Sequence, residues 1–299
     1  MAHVIAHFRA LSRVGLLKVM DLHSAETPQQ WKRIIGGNII TTKQEFERID
    51  QISDFGLAAV VSEATPIAFD TLLPGFTKDY YPLMRAIGFS VSKQANYTDL
   101  YNKVKRPGPK MAEALDSTLN FVVANLLNNG FSSSYTGPDT KSLFATDHPL
   151  ASGSASNRAS TATTLEASSL ATARTAMRQQ KSHRGKPMPS VGETLLIVPP
   201  ALEFSAKTIL RSVLLPGTSD NDANVVKETM SLEVNDYLSS STAWFLRNQK
   251  QHSLFLLKRI PRFVEDDYKM EKQMLLYATG EEYVAGWFDW RGTYGNQGA

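Results

Sequence analysis

The sequence predicts an α+β chain organised around one long helix, and three observations carry that reading. Met111, Leu115, Leu119, Val122 and Leu126 recur at helical spacing, with Val123 and Leu127 widening the stripe. A short apolar run, Leu195–Val198, is stopped by Pro199-Pro200. Leu202, Ala206, Ile209, Leu210 and Val213 then follow at helical spacing, which marks a compact α/β unit. The C-terminus alternates apolar and polar positions and is aromatic-dense from Tyr283 to Trp290.

At 299 residues the chain can bury a substantial core in one large or two ordinary domains. Its 42% hydrophobic and 20% charged content is that of a soluble globular protein. No apolar run approaches the ~20 residues of a membrane helix. Arg9, Arg13 and Lys18 interrupt the N-terminal apolar stretches, so no signal peptide is read there. Cysteine is absent, which excludes disulfides and thiolate zinc sites and fits a reducing cytosol. The net charge of +3 lacks the dense Lys/Arg clustering of a nucleic-acid-binding domain.

In chain order, residues 1–35 read as a partly helical, locally basic arm ending at Gly36-Gly37. Phe8, Leu11 and Leu16 would turn inward on a solvated amphipathic helix; alternatively the arm faces DNA or a neighbouring subunit. Residues 36–78 read as an extended β-ribbon loop, with strands at Ile39-Ile40, Phe46–Phe55 and Leu57–Val61. This segment is too poor in apolar residues for its own core, and a lone two-stranded ribbon is marginal in water, so it must lie on something else. A helix from near Ser92 carries Tyr97, Leu100, Tyr101 and Val104 and is broken by Arg106–Pro109. The long helix spans 109–129, closed by a C′ glycine at Gly130.

Residues 151–164 are Ser/Thr/Ala/Gly-rich and read as a linker or surface loop. The next helix, capped at Thr163 or Thr164, carries Leu165, Leu170, Ala173 and Met177 and ends before the basic turn Lys181–Lys186. The α/β unit covers 190–250, with strands at Met230–Val234 and Ala243–Leu246, and a further strand follows at Leu254–Leu257. Tyr268, Met270, Met274 and Leu276 are then expected to share one strand face.

Chemistry-bearing patterns are sparse. Asp147-His148 could serve as a general base and its orienter or as metal ligands, but adjacent residues point apart and Pro149 fixes a turn. A loop whose polar side chains bond to backbone is the expected role. Glu265-Asp266-Asp267 lacks the alternating oxygens and glycine of a calcium loop. No nucleophile elbow, P-loop or dinucleotide fingerprint occurs, so no enzyme activity, cofactor or metal is expected. Trp287, Trp290 and Tyr294 could stack bases, but with Arg291 as their basic neighbour, packing or a subunit interface is the expected role.

Four segments, LLNNGF (Leu126–Phe131), LFATDHPL (Leu143–Leu150), LLIVPPALEF (Leu195–Phe204) and GWFDWRGTYG (Gly286–Gly295), occur in a characteristic order. In that order the chain resembles tailed-bacteriophage major capsid proteins of the Hong Kong 97-like fold, among them the Mu-type head proteins. The resemblance implies a peripheral domain at 79–189 and 251–299 containing the spine helix, an axial domain at 190–250, and an extended loop lying across an adjacent subunit. It implies pentamers and hexamers of an icosahedral head, a virion location, assembly in the host bacterial cytoplasm, and weak non-specific contact with packaged double-stranded DNA. Separate scaffold, portal or decoration proteins are further expected partners. No scaffolding region precedes residue 35, so a scaffold would be a separate protein or already removed. A Lys–Asn crosslinking pair, present in some relatives, cannot be placed. Assembly-interface residues are expected at Phe46, Arg48, Ile49, Ile52, Phe55, Trp287, Trp290 and Tyr294. The alternatives are an encapsulin-like nanocompartment shell of the same fold and a hydrolase hidden in the axial-like α/β unit, for which His148 is the only candidate site.

Overall fold

The computed structural model describes residues 15, 17–25, 27–51, 53–63, 66–67, 69–72, 75–92, 94, 107–189, 192–214, 223–224, 226–227 and 229–299. The helix expected over Tyr97–Val104, the inward residues Phe8, Leu11 and Leu16, and Ile52 lie outside the described residues. Among these residues the helices are α1 (Gln30–Ile35), α2 (Pro107–Asn128), α3 (Ala167–Arg178) and α4 (Glu203–Arg211), with a further helical stretch at 17–25. The strands are β1 (Ile39–Thr41), β2 (Glu47–Asp50), β3 (Thr77–Tyr80), β4 (Leu83–Ser92), β5 (His148–Pro149), β6 (Ser154–Ala155), β7 (Thr194–Val198), β8 (Met230–Val234), β9 (Trp244–Asn248), β10 (Leu254–Lys269), β11 (Met274–Trp287) and β12 (Thr293–Asn296).

The spine is α2, 22 residues and therefore about 33 Å long. Its apolar stripe is the one that periodicity predicts: Met111, Leu115, Leu119, Val123, Leu126 and Leu127 are buried, while Val122 sits on the flank. Pro107 and Pro109 stand in the first turn of this helix, where the fixed φ of proline is well suited. Gly130 is not a left-handed cap. A Cβ there would lie 2.6 Å from the Phe144 ring, and Gly295 approaches the same ring equally closely. The two glycines let Phe144 fill the seam behind the spine.

Two four-stranded sheets flank that seam. The first runs β1-β10-β11-β4, with β10 and β11 forming a long antiparallel hairpin, β4 antiparallel on β11 and β1 parallel on β10. The second runs β12-β9-β7-β8, with β7 parallel to β8 and antiparallel to β9. All five residues of β7 are buried, as its uninterrupted apolar run requires. Its alternate side chains feed different cores. Leu195 and Ile197 join Leu119, Val123, Leu127, Phe245 and Tyr283 against the spine. Leu196 and Val198 join Leu170, Met177, Ala206, Ile209 and Trp244 beneath α3 and α4.

Several expectations shift. Leu57–Val61 forms no strand, and residues 53–63 are irregular. Leu254–Leu257 opens the first sheet. The last strand, Thr293–Asn296, pairs with β9 in the second sheet, so 251–299 does not stay with the spine throughout. Likewise α3 packs in the second sheet's core although it precedes residue 190. That helix is capped by Glu166 with Ser169 reciprocating, not by Thr163 or Thr164. Tyr268 is paired with Leu275 and thus shares its face, because the turn at Met270–Gln273 displaces the alternation by one residue. The described part of the N-terminal arm is docked rather than free. Met20 is buried against Met111 and Leu115, and Trp31, Ile34 and Ile35 enter the main core.

Candidate functional site

Among the described residues, the most exposed apolar stretch lies between β2 and β3. These two strands pair over four residues, Glu47 with Tyr80 through Asp50 with Thr77. Arg48 clamps the ribbon through two hydrogen bonds to Asp79, Nε to Oδ1 at 2.7 Å and Nη2 to Oδ2 at 2.8 Å. Ile49 leans on Tyr80, Phe255 and Leu257, and the Phe46 ring packs 5.4 Å from that of Tyr81. Beyond this base the described residues from Gln51 to Phe76 contain no helix or strand. Phe55, Leu57, Val60, Val61, Ile67, Phe69 and Leu72 are exposed there, Val60 by 98% and Phe69 by 96%. Single exposed apolar residues need no explanation, but seven on one loop mark a contact surface. Asp70 is held below the usual carboxylate range by the Gly56 N–H and then by Arg184.

The C-terminal aromatics behave differently. Trp287, Trp290 and Tyr294 are at most 6% exposed in the single chain. In the single chain they are packed inside, so an interface role would need rearrangement. The reason is topological: the chain leaves β11 in one sheet and enters β12 in the other, so these side chains line the seam. Trp287 joins the spine core and Tyr294 the core under α3.

Trp290 stacks on His148, ring centroids 4.4 Å apart at 12°. His148 is fully buried. Its Nδ1 donates to Asp139 Oδ2 at 2.6 Å, and its Nε2 lies 3.1 Å from Asn157 Oδ1. Asn157 Nδ2 donates to the Leu143 carbonyl at 2.7 Å, which turns the amide oxygen toward the ring. Both ring nitrogens are thus occupied by side chains within the fold, and neither reaches a nucleophile. Asp147 points outward to Lys141 instead. The pair Asp147-His148 does not act together, and His148 bonds to side chains rather than to the backbone expected of a loop. We expect His148→Ala to leave Asp139 Oδ2 buried without its partner and to cost about 1–3 kcal/mol. Chemical denaturation would show this as a lower midpoint with an unchanged slope; an unchanged midpoint would mean that the network contributes nothing.

Other candidate chemistry is equally absent from a common point. Glu265, Asp266 and Asp267 sit on β10, where successive side chains point to opposite faces and cannot converge on one ion. Among the described residues no three His, Asp or Glu side chains gather as metal ligands. The groove between the end of α2 and residues 238–243 is lined by Leu127, Phe131, Leu238 and Phe245 and carries no titratable group.

Sequence reasoning missed a buried ionic junction. Arg262 on β10 donates to Asp116 of the spine and to Ser24 of the N-terminal helical stretch, each at 2.6 Å, with Glu281 3.6 Å away. One turn on, Asn120 accepts the Trp31 N–H at 2.9 Å. Asp116 and Asn120, polar residues i, i+4 beside an apolar stripe, were the available signal. They fasten the N-terminal segment to the spine.

A family model described as phage capsid protein matches residues 77–296. No curated protein sequence matches the chain. Solved structures similar in fold include the capsid of cyanophage P-SCSP1u, at 13% identity and a TM-score of 0.57, covering 89% of this chain and 87% of that one. The capsid of a native GTA particle has 9% identity and a TM-score of 0.58, with 91% of both chains covered. A virus-like particle from Pyrococcus furiosus has 10% identity and a TM-score of 0.52, covering 94% and 97%. The architecture of spine helix, two sheets and extended loop is thus the Hong Kong 97-like capsid fold, although nothing in these likenesses singles out the Mu-type branch. With three-quarters of its length inside that family model, the chain belongs to the phage capsid protein family.

Proposed function

We propose that this capsid shell protein assembles as pentamers and hexamers into an icosahedral phage head that encloses a double-stranded DNA genome. The observation that carries the reading is the loop between β2 and β3. It exposes seven large apolar side chains that the single chain leaves in water, and it hangs from a ribbon anchored at both ends. A heterologous contact that closes generates rings, and curved rings tile a shell. Phe46, Arg48, Ile49 and Phe55 lie on or beside the ribbon and belong to this contact. Ile52 completes the set by sequence. The subunit acts by packing, with no catalytic role, and its buried Asp139–His148 pair is spent internally. Scaffold, portal and decoration proteins are separate chains in this reading. Assembly takes place in the host bacterial cytoplasm, and the Mu-type head proteins are the branch that the sequence motifs favour. DNA contact is weak and non-specific, consistent with +3 spread over 299 residues.

Electron microscopy of the purified protein over a concentration series tests this. Closed particles with fivefold vertices should form without nucleic acid, and two unrelated duplexes should bind them equally, weakly, and with steep loss between about 50 and 200 mM salt. A strictly monomeric protein at high concentration, whatever the salt or crowding agent, would sink the proposal. Tight binding of one duplex would reopen a nucleic-acid function.

A further inference from the structure

The extended loop is not adrift on the free subunit. Its two limbs return to one place, the turn at 181–187, and are held there by complementary charge. Arg184 donates from Nη1 to Asp70 Oδ2 at 2.7 Å and from Nη2 to the Thr71 carbonyl. Lys186 Nζ lies 2.7 Å from Asp54 Oδ2 and also donates to the Phe55 carbonyl. The limbs are tied to each other as well, since the Gly56 N–H donates to Asp70 Oδ2 at 2.7 Å.

The turn is built to receive such a contact. Ser182 N–H donates to the Lys186 carbonyl at 2.8 Å and Gly185 N–H to the Ser182 carbonyl at 2.9 Å, with Gly185 at a φ of +80° that favours glycine. Ala151 N–H donates to the His183 carbonyl at 2.9 Å, anchoring the turn to the body. The dock is therefore fixed, while the described residues of the loop have no secondary structure. Only the limbs are held: Leu57, Val60, Ile67 and Phe69 stay exposed beyond the contact. A loop bound by its charged ends, with its apolar tip unsatisfied, is stored rather than buried.

We propose that the 181–187 turn is a clasp that parks the extended loop on its own subunit, and that the clasp must open before the loop docks on a second copy. This rests on the shell reading above. The clasp then works against assembly, because every subunit that docks its loop first gives up two ion pairs and two charged hydrogen bonds to carbonyls. Partly exposed pairs of this kind are modest and screened by salt, which lets such a contact hold a loop without trapping it.

The experiment exploits the absence of cysteine from the chain. Spin labels at Ser62→Cys in the loop and Ser168→Cys on α3, both exposed positions, report the loop's position in the free subunit. At low salt the parent protein should give one narrow distance distribution. Arg184→Glu with Lys186→Glu should broaden it, and so should Asp54→Asn with Asp70→Asn, which leaves the turn untouched. Both pairs of substitutions should also lower the protein concentration at which light scattering reports assembly, by about tenfold for two pairs opened together. An unchanged distance distribution in both variants would overturn the clasp. A broadened distribution with an unchanged or higher onset would overturn its role in holding back assembly. If Arg184→Glu/Lys186→Glu subunits assembled only when mixed with Asp54→Lys/Asp70→Lys subunits, the ion pairs would belong between copies, and the proposal would fail. If the parent protein never assembled, the shell reading would fall, while the distances would still decide whether the loop is clasped.

Discussion

Leu119→Asp is expected to yield no soluble, folded subunit. Leu119 is 3% exposed and stands where α2 meets the core shared with Leu195, Phe245, Leu254 and Tyr283. An aspartate there loses the buried apolar surface, worth about 1.5–3 kcal/mol for a leucine. It also places a carboxylate among apolar side chains, at a cost of several kcal/mol. Together these approach the whole of a typical folding free energy of about 5–15 kcal/mol. The neighbouring Val122 lies on the flank of the stripe, so Val122→Asp should be milder, because its carboxylate can turn toward water. Expression trials followed by thermal melting of the soluble fractions check both. Parent-like yield and melting for Leu119→Asp would mean that the stripe does not face the core.

What the sequence revealed follows from which forces are local. The spine and β7 were legible because each announces itself by a single periodicity over its own length. The ribbon of β10 and β11 was not, because its faces mix charge and apolar residues and its register depends on the turn at Met270–Gln273. The domain division was blurred for a related reason. Thr293–Asn296 looks like the end of a C-terminal strand series, and only pairing with Trp244–Asn248 places it in the other sheet. His148 illustrates a second limit. Its partners Asp139 and Asn157 stand nine residues away on either side, a spacing with no recognisable motif, so its burial could not be foreseen.

The candidate site was half legible. That the segment after β1 could not bury itself was plain from its composition, and its exposed apolar side chains agree with that. For the aromatics at the C-terminus, packing and interface could not be told apart, because a dense aromatic cluster reads alike whether one chain or two supply its partners. Only the crossing from β11 to β12 reveals that Trp287, Trp290 and Tyr294 are satisfied at home. Aromatic content therefore located a core, whereas the weaker signal, apolar residues scattered through an irregular loop, located an exposed apolar surface.

Removing residues 57–69 and joining the limbs with about four Gly/Ser residues should spare the fold and abolish assembly. The cut can be closed without strain, because the Gly56 N–H already bonds to Asp70 across it. A wider deletion over Gln44–Ala64 would be less clean, since it removes β2, its Arg48–Asp79 ion pair and the contact of Ile49 with the core. None of the buried clusters draws on the described residues of 57–69, so the melting temperature should move by no more than about 2 °C. The loss to assembly is far larger. Burying Leu57, Val60, Ile67 and Phe69 against a second copy, at about 1.5–3 kcal/mol each, would contribute on the order of 6–12 kcal/mol per contact before ordering costs are subtracted. Every subunit in a closed shell would lose that contribution at once, so no rise in protein concentration within solubility should compensate. The measurement pairs calorimetry of the subunit with sedimentation at concentrations where the parent protein closes shells. A lost cooperative transition would place the loop in the folding core. A shortened subunit that still built shells would show that the exposed apolar tip is not what joins one copy to the next.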